Sequence, residues 1–126
     1  MSKEIRTGDS RNKPLSQPRF LGTLGLAMRA GKLVSGEFMT ERAIRDGQAR
    51  LVIIASDASA GTKKKFTDSC TYYQVPILIT SDKETLGQSV GKRERASLAV
   101  MDEGFAGSIR KKITGEVTQY GKNEDI

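Results

Sequence analysis

The sequence predicts an α/β fold: a three-layer α/β/α sandwich with a central sheet of about four strands. Three observations carry this. The run RLVIIAS is continuous, β-branched and apolar, the pattern of a strand covered on both faces, VPILIT reads as a second buried strand and ASLAVM as a third strand. Between them, apolar residues recur at the spacing of helices that need a sheet to pack on. The 126 residues are the size of one domain, and with 37% apolar but only 6% aromatic residues the core must be aliphatic.

The elements follow in order. Residues 1–18 are polar, mixed in charge and broken by Gly8, Pro14 and Pro18, and read as a flexible leader. In RFLGTLGLAMRAG, Phe20, Leu24 and Ala27/Met28 mark the first helix, which Gly31 stops. KLV is a short strand. Ser35 is the expected N-cap of a second helix, with Glu37 in its first turn, running to about Asp46 and ending at Gly47. RLVIIAS is a buried strand. ASAGTKKKFTDSCTYYQ places Thr62, Phe66, Cys70 and Tyr73 on one helical stripe, so Tyr72 and Tyr73 read as core and core edge. VPILIT is a second buried strand, with Pro76 near its start. Ser81 and Glu84 form a capping box for a short helix carrying Leu86 and Val90. ASLAVM is the last strand, and EGFAGSIRKKI closes the fold with Phe105, Ile109 and Ile113 on one face. The folded domain is expected over residues 19–114, with a tail over 115–126.

Twenty-one Lys and Arg against fifteen Asp and Glu give a net charge of +6, which favours a polyanionic partner. Cys70 is the only cysteine and there is no histidine. That removes an internal disulfide, Cys/His metal sites and Ser-His or Cys-His nucleophile pairs, so no metal and no cofactor are expected. LGQSVG lacks the spacing of a dinucleotide loop. Asp57 follows a strand but has no second acid or base at a readable spacing, so a cap or turn role fits it. Cys70, on the buried stripe, is a packing residue. The expectation is a protein that is not an enzyme. Without an apolar leader, or the roughly 18 apolar residues of a membrane span, the expected place is the cytoplasm.

On a wheel, Thr40, Ala43, Ile44 and Gly47 of the second helix face the sheet, and Phe38, Glu41, Arg42 and Arg45 fall on the other side. Two uses of Phe38 are open. It could stack on unpaired bases while Arg42 and the N–H groups of Gly36 and Glu37 meet RNA, or it could staple the helix start to the first helix. Lys63, Lys64 and Lys65 in TKKKF are either secondary phosphate contacts or a solvated face. GKRERAS puts Lys92, Arg93 and Arg95 in a loop that could lie beside the second helix or merely aid solubility.

The runs LGLAMRAGKLVSGE, ARLVIIASDAS, TKKKFTDSCTYYQVP, LGQSVGK and AVMDEGFA, in that order, resemble the kink-turn-binding ribosomal-protein superfamily, the L-seven-Ae group, over about residues 19–113. The resemblance implies a three-layer sandwich that binds structured RNA, ribosomal RNA included, and does no catalysis. The group's signature at the second helix is Gly, any residue, Asn, Glu, two residues, then Lys or Arg. Gly36 and Arg42 match it, whereas Phe38 and Met39 stand in place of the Asn and Glu. Lys92, Arg93, Glu94 and Arg95 replace an apolar second recognition loop.

The expected RNA face therefore joins Lys32, Gly36, Glu37, Phe38, Met39, Arg42 and Arg45 to Lys92, Arg93 and Arg95, reading shape and stacking more than base edges. Glu37 there would accept from a base or sugar, or hold an arginine. The alternative is a protein-interaction module on the ribosome or transcription machinery, anchored by Phe38 and Met39. A monomer is expected in either case.

Overall fold

A computed structural model describes the backbone of residues 18–121 and the side chains through residue 113. The leader, Pro18 apart, and the tail beyond residue 121 lie outside the described residues. In chain order the elements are α1 (Phe20–Arg29), β1 (Leu33–Ser35), α2 (Glu37–Arg45), β2 (Leu51–Ile54), α3 (Ala60–Tyr73), β3 (Ile77–Ile79), α4 (Lys83–Ser89), β4 (Ser97–Val100) and α5 (Glu103–Gly121). The last helix thus runs on past residue 114.

The sheet has the order β1-β4-β2-β3. β4 is antiparallel to both β1 and β2, with Ser35 opposite Leu98 and Ile54 opposite Ser97, while β3 runs parallel to β2. Helices α2 and α3 cover one face; α1, packed on α4 and α5, covers the other. The central strands are buried at every position, as continuous apolar runs must be between two helical layers. Phe20, Leu24, Ile44, Phe66, Leu86 and Ile109 complete an aliphatic core from the helices. The α/β/α sandwich and its four strands are as the sequence predicts.

Four local expectations are corrected. The N-cap of α2 is Gly36, not Ser35, which remains in β1 as its last residue. The cap of α4 is Asp82, not Ser81: Asp82 Oδ1 accepts the Thr85 N–H at 2.7 Å, and this holds its carboxyl below the usual range. Ser81 instead takes φ 62° in the turn before it. VPILIT is not a buried strand, because β3 lies at the sheet edge with Ile79 46% exposed. Tyr72 and Tyr73 are not core but exposed. Tyr72 sits well off the Phe66–Cys70 stripe, and Tyr73 overhangs at the helix end, where Gln74 turns left-handed.

One consequence of this topology positions the candidate site. β1, β2 and β3 all end, and β4 begins, on the same edge of the sheet, so α2, α3 and α4 start there together. Ser59 caps α3 by accepting the Thr62 N–H, and Asp57 Oδ1 reaches across to the Lys83 N–H at the start of α4. This edge holds the turn role expected of Asp57.

Cys70 is buried, and desolvation pushes its thiol from 9.0 up to about 11. Between those values the unfolded chain has lost a proton that the folded one keeps, so stability should fall as pH rises from about 9 to 11. Alkylation of the native protein at pH 8 should be far slower than of protein in denaturant, as a thiol-labelling time course would show. Equal rates would mean that Cys70 is open to solvent.

Candidate nucleic-acid interface

The turn from β1 into α2 is set by a residue that only glycine suits. Gly36 has φ 96° and ψ 158°, in a region L side chains avoid, although a Cβ there would meet no atom within 4 Å. Backbone conformation, not space, requires the glycine. Its N–H, expected to be free to meet RNA, instead donates to the Ser97 carbonyl oxygen at 2.9 Å, which ties the start of α2 to the start of β4. No side chain caps α2, so the N–H groups of its first turn are left to point outward with the positive end of the helix dipole.

The wheel reading of α2 holds for Thr40, Ala43 and Ile44, which are buried against the sheet, and for Phe38, 71% exposed, with Met39 40% exposed. Gly47, beyond the helix end, is exposed instead of facing the sheet, and Glu41 is half-buried. Phe38 is therefore no staple onto the first helix. It borders an open groove of about 710 Å³ between α2 and α3, together with Glu37, Glu41, Arg42, Arg45 and Lys65.

The charges in this groove differ from the expected positive field. Lys65 Nζ donates to Glu37 Oε2 at 2.6 Å and lies 3.1 Å from Glu41 Oε1. The Glu37 carboxylate first, then that of Glu41, holds its ammonium above the usual lysine range. Arg42 pairs with Asp46 at 3.5 Å. Arg45 has no ion-pair partner among the described residues. Glu37 therefore holds a lysine from α3, not an arginine, and the groove is close to charge-balanced.

The TKKKF run divides accordingly. Lys65 braces α2 against α3, Lys64 pairs with Asp68 at 2.9 Å, and only Lys63 has no carboxylate partner among the described residues. Two of the three expected phosphate contacts are thus engaged internally.

The GKRERAS loop does lie beside the start of α2. Arg95 Nε donates to Ser35 Oγ at 2.9 Å, so the residue expected as a cap instead receives the basic loop. The loop is seated on α4 through Lys92 N–H to Gly87 O and Arg95 N–H to Lys83 O, leaving Lys92 and Arg93 exposed. Lys32 is the exception. It precedes β1 and its carbonyl accepts the Met101 N–H, at the opposite sheet edge, roughly 13 Å of strand from Gly36. Lys32 does not share a face with the rest.

Two contacts were not legible. Lys65 to Glu37 and Arg95 to Ser35 join residues 28 and 60 apart in sequence, and no periodicity within one helix reports such a pair. The lone sign was the pair of carboxylates Glu37 and Glu41, one turn apart on α2, in a chain that also carries a lysine run of unknown orientation.

The α/β/α sandwich with sheet order β1-β4-β2-β3 is that of a class of ribosomal-type proteins. Residues 19–109 match the Ribosomal protein L7Ae/L30e/S12e/Gadd45 family, and the chain belongs to that family. It is similar to the RNA-binding protein YlxQ of Bacillus subtilis (strain 168), at 48% identity over 68% of this chain and 86% of that one. It is 39% identical to the RNA-binding protein YlxQ of Enterococcus faecium, over 79% of this chain and 96% of the relative. A solved structure of a protein of unknown function from Bacillus halodurans superposes with a TM-score of 0.74 at 40% identity, covering 77% of this chain and 98% of that one.

Among the described residues no group of three His, Cys, Asp or Glu could hold a metal ion, and no helix is long and apolar enough to cross a membrane.

Proposed function

We propose that this chain is a non-catalytic cytoplasmic protein that binds structured RNA, ribosomal, kink-turn-like or bulged, through the start of α2 and the loop before β4. The observation that carries the reading is the ring of Phe38, held 71% in solvent on an uncapped helix start. Exposing that ring has no return in folding, since the apolar face of α2 is already supplied by Ala43 and Ile44.

The chemistry follows from the groups present. Phe38 offers a face on which an unpaired base stacks, and the first-turn N–H groups donate to a phosphate oxygen. Arg42, Arg45 and Arg95, with Lys92 and Arg93, contact the backbone on either side. Because the α2–α3 groove is charge-balanced, affinity comes from stacking as much as from phosphate neutralisation. The amide and carboxylate that would read base edges are replaced by Phe38 and Met39, so shape is read in preference to sequence. Lys63 is left for an outlying phosphate, and Lys32 for a contact elsewhere.

A second reading rests on Met39, 40% exposed next to Phe38: the two side chains form an apolar anchor for a protein of the ribosome or transcription machinery. Salt separates the two. The protein should be titrated with a kink-turn RNA, a bulged stem-loop and a plain duplex at two salt concentrations. RNA binding predicts tighter association with the first two, weakening as salt rises. Equal affinity for all three would remove shape recognition, and no binding to any would leave the protein-anchor reading.

A further inference from the structure

The sheet edge opposite Gly36 carries its own set of aromatic and cationic groups, independent of α2. Arg50 N–H donates to Val100 O and Met101 N–H to Lys32 O, which places Arg50 and Lys32 together at the far end of β4. A groove of about 300 Å³ opens there, and Arg50, Tyr73, Gln74, Pro76, Glu103 and Arg110 are among its lining. Tyr73 meets Tyr72 edge to face, with centroids 4.8 Å apart and planes at 76°. Tyr72 is 78% exposed, so the pair leaves ring faces open to solvent.

We infer that this edge is a second nucleic-acid site, which takes a single-stranded RNA segment with a base on the Tyr72–Tyr73 pair and its phosphate between Arg50 and Arg110.

Three features point to that ligand. Charge is not balanced here as it is beside Phe38: two guanidiniums face one carboxylate in the groove, and Glu103, 75% exposed, stands 3.8 Å from Arg50. Arg110 has no ion-pair partner among the described residues, and Lys32 adds a further cation at the same edge. The Arg50 guanidinium is fixed in place, donating from Nη1 to the Gly47 carbonyl at 2.9 Å, so it presents its remaining donors without further ordering. The carbonyl end of α3 also lies at this edge and disfavours phosphate next to the tyrosines, which assigns the rings to the base and the arginines to the backbone. Rings flanked by cations are the usual means of holding a single strand, and the groove has room for one nucleotide unit, not for a duplex.

The chain offers a direct readout, because it has no tryptophan and only three tyrosines. In a Tyr120→Phe background, tyrosine emission comes from Tyr72 and Tyr73 alone. A short oligouridylate should quench it saturably, and Tyr73→Ala or Arg110→Glu should weaken binding about tenfold, followed by anisotropy of labelled RNA. Phe38→Ala should leave that binding unchanged, so failure here and failure of the α2 reading are distinguishable. Thermal melts of Arg110→Glu, a substitution on the exposed side of α5, should match the parent. Absence of quenching would overturn the proposal. So would quenching abolished by Phe38→Ala but untouched by Arg110→Glu, or equal quenching by an acidic polyglutamate peptide, which would mark the edge as a protein contact.

Discussion

Phe38→Ala is expected to lower affinity for a bulged or kink-turn RNA by about ten- to a hundredfold, the loss of one base–aromatic stack at roughly 1–3 kcal/mol. The folded protein is expected to notice little. Phe38 is 71% exposed and contributes nothing to the core, and exposed substitutions of this kind stay within about 0.5 kcal/mol of the parent stability. Arg42→Ala should weaken binding less and more salt-dependently. Its guanidinium, 63% exposed and 3.5 Å from Asp46, has to share its charge with that carboxylate before any phosphate arrives. Comparing the two by anisotropy, with thermal melts as the control for folding, separates stacking from charge. Wild-type affinity in both variants would show that RNA does not meet this helix.

The same residues show how far the sequence could be read. The α2 wheel was legible because its evidence is local: Thr40, Ala43 and Ile44 share one side, and the sheet buries that side. The strands were legible because β2 is apolar throughout and β4 nearly so, Ser97 apart, which a position buried between two layers favours. VPILIT has equally apolar composition yet lies at the edge, since composition does not report how many neighbours a strand acquires. Caps shifted by one residue at both Ser35 and Ser81. In each case another residue took the helix-entry geometry: Gly36 with its positive φ, and Asp82 with a carboxylate that reaches the Thr85 N–H. Tyr72 could have been placed outside on angle alone, for it falls well off the Phe66–Cys70 stripe. The electrostatics of the candidate site were the least legible part. That a lysine from α3 would quiet two glutamates of α2 depends on how two helices lie across the sheet, which nothing in either helix encodes alone.

Gly87→Ala destabilises the protein, although the same change elsewhere in a helix stabilises it. Gly87 is buried within α4, and a Cβ there would run into the Arg93 carbonyl oxygen and stand 2.6 Å from its carbon and 2.9 Å from Glu94 Cα. These are backbone atoms of the loop packed across the helix, so no rotamer change relieves the clash. Helix propensity favours alanine by about 1 kcal/mol, but overpacking against fixed backbone costs about 1–3 kcal/mol or more, and the net sign is a loss. Gly107→Ala is the matched control: it lies in α5 with no atom within 4 Å of the added methyl, and should gain about 0.5–1 kcal/mol. Urea denaturation of both variants measures the difference, and a Gly87→Ala protein as stable as Gly107→Ala would disprove the close seating of the loop. The change also carries a functional consequence. Pushing Arg93 and Glu94 away from α4 displaces Arg95, whose Nε is held by Ser35 next to the start of α2. RNA affinity should therefore fall in Gly87→Ala even under conditions where the variant is fully folded, whereas Gly107→Ala binds as the parent does. Loss of stability with undiminished affinity would separate the loop from the RNA face and leave α2 to hold the ligand alone.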